Sequence, residues 1–522
     1  LYLITQTDRV EYLLIGFLTL VSCLFWLLIR KRINSLSLCQ VKSHLNFNIY
    51  AYFYILLFVL SILSVIFRPN LYERPLHYFV IITLMIFVLS YEILLSKQEN
   101  VSFLIFQIVA LGINIGWSQL LLFPELIGVD PSYHSNLTSQ IIQSHYLPEG
   151  YSYAKLPLFH IIISTASLIL NTEYKFAAMA SVSLAQIACN ALFIYLIASG
   201  VFKCHKVGCL SSLFVVISNY HIFMSYWSIP NAFAGIFISI VLYLIYVLKE
   251  RHKLKSSIFI FLFLLTIIWT HTLTSMCMAI LLFVVWIISY IYPYYCSGFK
   301  RGYIPLLLPI VFIIGMFAWW TYASNSIWMF SQLIKWGFSV DYFISDPAKV
   351  VEYVSQTPVF ERVFKYLGMY LFFSLSLVGI LYMISRNGTK ASFYVAFTAL
   401  APLFIVFSSN LMGLGLIEER WWYFSEILLS IPLAVTFIVI QSLGASKRHL
   451  SMVTPIFICL IGFLLIMSPP ANVDNHVFSE QSGVTHALKY SELRSSDFIC
   501  SYINTPVILS DQVFYFAQRF EM

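Results

Sequence analysis

Long apolar runs alternate with short polar breaks along most of the 522 residues. A helix needs about 20 apolar residues to cross the hydrocarbon core of a bilayer. Runs of about that length fall near 11–29, 48–67, 77–96, 102–123, 177–199, 208–224, 230–248, 256–272, 274–294, 304–323, 364–384, 391–409, 421–443 and 450–468. The pattern predicts an all-α polytopic membrane protein with about fourteen transmembrane helices. The apolar run 157–170 is too short for a span and reads as a re-entrant or interfacial helix. Pro124 to His160 is the longest polar interval in the first half of the chain. The 324–363 interval opens with IWMFSQLIKWGF, whose Trp and Phe on one face and Lys335 on the other suit an interfacial helix. Beyond 469 a helical pattern gives way to the β-branched run PVIL and then SDQ, which predicts the start of a small extracellular α/β domain.

Basic residues set the orientation. One set of alternate loops carries 17 of the 30 lysines and arginines, in clusters such as Arg30-Lys31-Arg32, Lys249 to Lys255 and Lys447-Arg448. Only Glu99 and Glu250 accompany them, whereas the other loops hold most of the acids. The first set is predicted cytoplasmic, which puts 124–156, 324–363 and everything after 469 outside, provided that 157–170 does not span. A chain that is 60% hydrophobic and 10% charged is not a soluble domain, where about 25% of residues are charged. The net charge of +7 comes from short clusters between apolar runs and is no nucleic-acid footprint. The first span is not a cleaved signal, because its basic cluster follows the apolar run. Nine cysteines are scattered with no CxxC pair, so neither a disulfide framework nor a zinc site is expected. NLT at 136–138 and NGT at 387–389 match glycosylation sequons at about the chance rate.

The candidate chemistry lies at the predicted outer boundary. Asp130 follows the fourth span and precedes Pro131, and an acid at mid-bilayer would cost about 2.5–3.5 kcal/mol, so it belongs at the interface. Asp130 and His134 are four residues apart, which places both on one face if Pro131 opens a helix. In the simpler reading Asp130 is the N-cap of that helix. His271 sits in the tight outer hairpin between two spans, as a ligand, a proton carrier or a histidine bonded to a carbonyl. The segment IEERWWYFSE opens a late span, with Trp421, Trp422 and Tyr423 as an aromatic belt. Arg420 there suits a phosphate oxygen, or an ion pair with Glu418 or Glu419. Lys155 is a second candidate for a phosphate, and His160 and Glu419 complete the candidate set. A divalent metal is left open, with no ligand set assigned.

The D-P-x-aromatic-H start of the first outer loop, the segment Lys155-Leu-Pro-Leu-Phe-His160 before a short helix and the Glu-Arg-aromatic start of a late span resemble integral-membrane GT-C glycosyltransferases. The resemblance covers about residues 100–522. Among these families it touches protein mannosyltransferases, lipid A aminoarabinose transferases and oligosaccharyltransferase catalytic subunits. The Trp-Trp-Asp-Tyr-Gly motif of the last is missing, and four spans before the loop are more than the others have. The resemblance implies transfer of a sugar from a polyprenyl- or dolichyl-phosphate carrier to a glycan, lipid or protein acceptor at the outer face of the plasma membrane. Asp130 would be the catalytic carboxylate. Chemistry agrees with that economy: a phosphate leaves as a stable anion, so one base and one cation suffice, whereas a glycosidase needs two carboxyls. Asp130 with His134 would supply the base, and Arg420 with Lys155 would hold the donor phosphate. The expected domains are 1–123, an N-terminal four-helix membrane segment; 124–176, the outer catalytic loop; 177–468, the transmembrane core; and 469–522, the extracellular segment. The rival class is a lipid or solute transporter, which would call for internal repeats, broken helices and ionisable groups near mid-membrane.

Overall fold

The structure, a computed structural model, describes residues 9–33, 47–148, 152–248, 252–295, 302–328, 331, 359–411, 418–444, 448–472, 474 and 487–502. Over these residues the protein is all α-helical, apart from an isolated antiparallel bridge between Ile127 and Ala487. Each predicted span coincides with a helix or, at 208–224, with a bent pair of helices among the described residues. Ten helices are long and apolar enough to cross a membrane, and an eleventh span is the pair His205–Ile217 and Asn219–Tyr226, bent by 59°. Lys253–Ile268, Leu307–Ala323 and Met452–Ile466 are shorter. The apolar window 256–272 runs past the end of its helix, Lys253–Ile268, into the hairpin at Trp269 and Thr270. Leu158–Leu170 has 13 residues, short of the roughly 20 that cross a bilayer. The protein is an integral, multi-pass membrane protein. The interfacial stretch at 324–363 and the PVIL run fall almost wholly outside the described residues; what is described of the tail there is the helix Tyr490–Tyr502.

The bundle is built around one late helix. In Glu419–Leu443, 94% of the most apolar window is buried, against 17% for Leu13–Ile33 at the periphery. Its neighbour Val359–Ile384 comes so close that a Cβ at Gly379 would collide with the Pro432 carbonyl, and Pro432 has no N–H to lose in that contact. The bend between His205–Ile217 and Asn219–Tyr226 is sealed by the same central helix. Glu426 Oε2 accepts the Tyr220 N–H at 2.9 Å. The buried carboxylate thus covers a helix start whose own cap, Ser218, makes no side-chain cap bond.

Two polar ties close the end that carries the 121–173 segment. Lys175 Nζ donates to the Phe123 carbonyl at 2.6 Å and to that of Pro124 at 3.3 Å, so the start of one span satisfies the carbonyls just past the end of another. Arg74 and Asp474 form a sealed ion pair at 2.7 Å, with side chains 1% and 0% exposed. Arg74 also reaches the Ile115 carbonyl and Ser118. The expectation of no disulfide fails at Cys204, which is disulfide-bonded. The NLT sequon lies inside a helix with Asn136 and Thr138 buried, in keeping with a chance match.

Candidate active site

Asp130 enters on the helix Val129–Ser144. That helix starts abruptly because Gly128 adopts φ +101°, and a Cβ there would meet the Trp227 ring at 2.7 Å. Only glycine accepts both the left-handed backbone and the close approach. The helix cap is therefore Gly128, and Asp130 lies in the first turn with Pro131 after it. The N-cap reading of Asp130 is corrected accordingly, and its carboxylate is left available for a distant partner.

That partner is Arg420. Its Nη2 donates to Asp130 Oδ2 at 3.0 Å across 290 positions of sequence. Of the neighbouring glutamates, Glu419 is exposed and the Glu418 side chain lies outside the described residues. The Asp130 and Arg420 side chains are 45% and 19% exposed, so this pair is open to solutes while the Arg74–Asp474 pair is sealed. Two more groups converge on the guanidinium. Nη1 lies 3.5 Å from His271 Nε2, and the Tyr153 hydroxyl is hydrogen-bonded to Arg420. Burial pushes the Tyr153 hydroxyl up from its ordinary range, the largest influence on it. Three loops or helix ends, around 130, 153 and 271, thus meet the start of the central helix at one end of the bundle.

His134 turns away from this pair. Its Nδ1 is 3.0 Å from Nε2 of His160, and the rings of Tyr153 and Phe159 pack on it edge-on at 4.8 and 5.5 Å. Both imidazoles are buried, and His160 Nδ1 is buried without a hydrogen-bond partner. Desolvation holds His160 down to about 3. Burial first, and then the adjacent His160, hold His134 well below the usual histidine range. Both are neutral in the folded protein, while in an unfolded chain they would titrate near 6.5. Stability is therefore full above about pH 6.5 and falls toward pH 3, by up to about 1.4 kcal/mol per pH unit per group. The thermal midpoint should drop between pH 7 and 5, and His160→Asn should flatten that slope. Equal slopes in both proteins would contradict the neutral pair.

Lys155 stands apart. Its side chain is exposed, and its carbonyl accepts the Trp319 indole N–H at 3.0 Å. Among the described residues no group of three or more His, Cys, Asp or Glu could hold a metal ion. A cavity of about 400 Å³ lies among Tyr220, Tyr366, Phe373 and Trp422. Trp422 is two residues beyond Arg420, about 200° round the helix, so the cavity faces away from the ion pair. Neither Tyr153 nor Thr274, which bonds His271, stands out in the sequence. A tyrosine among 34 carries no signal until the fold places it.

No protein-family model matches the sequence, and no curated protein matches it significantly. Solved structures match at low identity. An oligosaccharyltransferase from Archaeoglobus fulgidus, in its apo form, is 13% identical with a TM-score of 0.48, over 77% of this chain and 58% of that one. ArnT from Cupriavidus metallidurans, solved bound to undecaprenyl phosphate, is 11% identical with a TM-score of 0.47, over 79% of this chain and 84% of that one. This chain thus spans little more than half the length of the oligosaccharyltransferase. A likeness this remote leaves the function to be argued from the residues themselves.

Proposed function

We propose that the protein is a membrane glycosyltransferase that moves a sugar from a polyprenyl-phosphate-linked donor to an acceptor at the outer face, with Asp130 as the general base. The observation that carries this reading is the solvent-open Asp130–Arg420 pair at the end of a membrane bundle. A guanidinium beside a carboxylate, both reached by solvent, suits a substrate that brings its own leaving-group anion. The donor phosphate takes the guanidinium and Asp130 is released. The acceptor hydroxyl attacks the anomeric carbon and passes its proton to Asp130. The bond from that carbon to the phosphate oxygen breaks, and its electron pair stays with the polyprenyl phosphate, which Arg420 neutralises. Tyr153 and His271 hold the guanidinium in place. Transport, the rival, draws on the bent span, but there the buried Glu426 is engaged by the backbone.

Arg420→Ala should weaken binding of a polyprenyl phosphate by about 10- to 100-fold, the range for a charged hydrogen bond. Arg420→Lys should restore only part of it, because the planar fork is lost. Unchanged affinity in both variants would return Arg420 to a structural ion pair. The outward orientation is tested separately. A cysteine at Ser144, in a background without reactive thiols, should react with an impermeant maleimide in intact cells. Labelling only in inverted vesicles would reverse the topology.

A further inference from the structure

The proposed reaction makes Arg420 exchange Asp130 for a phosphate, and a guanidinium that releases its carboxylate needs another anchor. One is built into the fold behind it. His271 Nδ1 lies 2.9 Å from Thr274 Oγ1, and Thr274 Oγ1 donates to Asn231 Oδ1 at 3.0 Å. The Asn231 amide nitrogen faces the Met224 sulfur at 3.8 Å, a weak acceptor, which leaves the amide oxygen to Thr274. All three polar side chains are buried, at 1%, 0% and 0% exposure for His271, Thr274 and Asn231.

The direction of this chain follows from proton counting. A threonine hydroxyl has one proton, and here Asn231 takes it. Toward His271 the hydroxyl can then only accept, so the imidazole proton sits on Nδ1. That leaves Nε2 a lone pair, aimed at Arg420 Nη1 3.5 Å away. In the other tautomer, Nδ1 would accept the Thr274 backbone N–H at 3.3 Å and Nε2–H would point at a guanidinium that has no acceptor. Each form sets two donors face to face, Nδ1–H against the neutral Thr274 N–H in the first and Nε2–H against a cation in the second, and the clash with the cation is the costlier. The contact with Arg420 selects the first form.

We infer that His271 is a positioning residue for Arg420. Asn231 and Thr274 fix its tautomer, and its Nε2 holds the guanidinium at the site entrance when an anion displaces Asp130. This inference rests on the reading of Arg420 as the anion holder. It extends that site by two residues, Thr274 and Asn231, which stand behind His271.

Thr274 is the probe, because its hydroxyl bonds His271 and Asn231 and belongs to neither Asp130 nor Arg420 in the proposed reaction. The assay is equilibrium binding of polyprenyl monophosphate to the purified full-length protein, with the uncharged polyprenol as control and thermal midpoints measured alongside. Thr274→Val should weaken monophosphate binding about tenfold, the size of one misaligned charged hydrogen bond, and leave polyprenol binding unchanged, with a lowered midpoint because the buried Asn231 oxygen loses its donor. Thr274→Ser keeps the hydroxyl and should bind within about twofold of wild type, the residual scatter of a conservative change. Wild-type affinity in Thr274→Val, while Arg420→Ala has lost it, would overturn the positioning role and leave the anion site standing. Equal loss in the Val and Ser variants would also overturn it, since the hydroxyl would not be the cause. Wild-type affinity in Arg420→Ala would remove the anion site itself.

Discussion

Asp130→Asn is expected to give a folded protein whose glycosyl transfer is slower by about 10²- to 10⁴-fold, the usual contribution of a general base. Asparagine keeps the size and a hydrogen-bonding oxygen for Arg420, but it cannot take the acceptor's proton. The helix start would survive, because Gly128 and not Asp130 occupies the cap position. Stability should hardly change either, since a half-exposed ion pair contributes only about 0–1 kcal/mol. The measurement is transfer from a polyprenyl-phosphate sugar by purified protein, with a thermal midpoint for each variant. A structural role for Asp130 predicts the reverse pattern, a lowered midpoint with transfer retained per folded molecule.

The opposite signature is expected at the other long-range ion pair. Asp474→Asn should destabilise the protein by about 3–5 kcal/mol, because it strands a buried guanidinium. Asp474 receives the Arg74 backbone N–H at 2.7 Å as well as Nε at 3.0 Å and Nη2 at 2.7 Å. Arg74 also lies over the rings of Tyr78 and Phe79, at 5.4 and 4.9 Å. Both side chains are sealed, at 1% and 0% exposure. Replacing both partners with apolar residues should cost less than the single change, since no uncompensated charge remains. A thermal midpoint within a degree or so of wild type for Asp474→Asn would mean that the pair does not tie these segments together. The two experiments together separate a sealed, architectural ion pair from an open, working one.

Much of the architecture was legible because bilayer solvation imposes it. Every apolar run of the right length became a helix, since lipid offers the backbone no other partner. Where a helix ends or bends within an apolar run was not legible. Hydropathy measures apolarity and not helix continuity, so Trp269-Thr270 and the break at Ser218 passed as uninterrupted span. The candidate residues Asp130, His271 and Arg420 were found from a single idea, that charge and imidazole at one boundary mark chemistry, and the fold does bring these three together. Their pairing was not readable. Asp130 and His134 share a helix but not a partner, because His160 comes from a second short helix and occupies the His134 nitrogen. Tyr153, Thr274 and Asn231 are ordinary polar residues in sequence and acquire meaning only from what faces them. Glu426 and Asp474 were overlooked for a related reason. A lone acid in or beside an apolar run shows no sign of the N–H or guanidinium it will meet several hundred residues away.

The most direct test of the account is an experimental structure of the protein with a polyprenyl monophosphate bound. The account predicts a phosphate oxygen about 2.7–2.9 Å from the Arg420 guanidinium, as in a charge-assisted pair. His271 should still lie against Nη1, and the Asp130 carboxylate should be turned off Arg420 toward the space beside the phosphate. A phosphate bound elsewhere, with the Asp130–Arg420 pair intact beside it, would contradict both the donor site and the base assigned here.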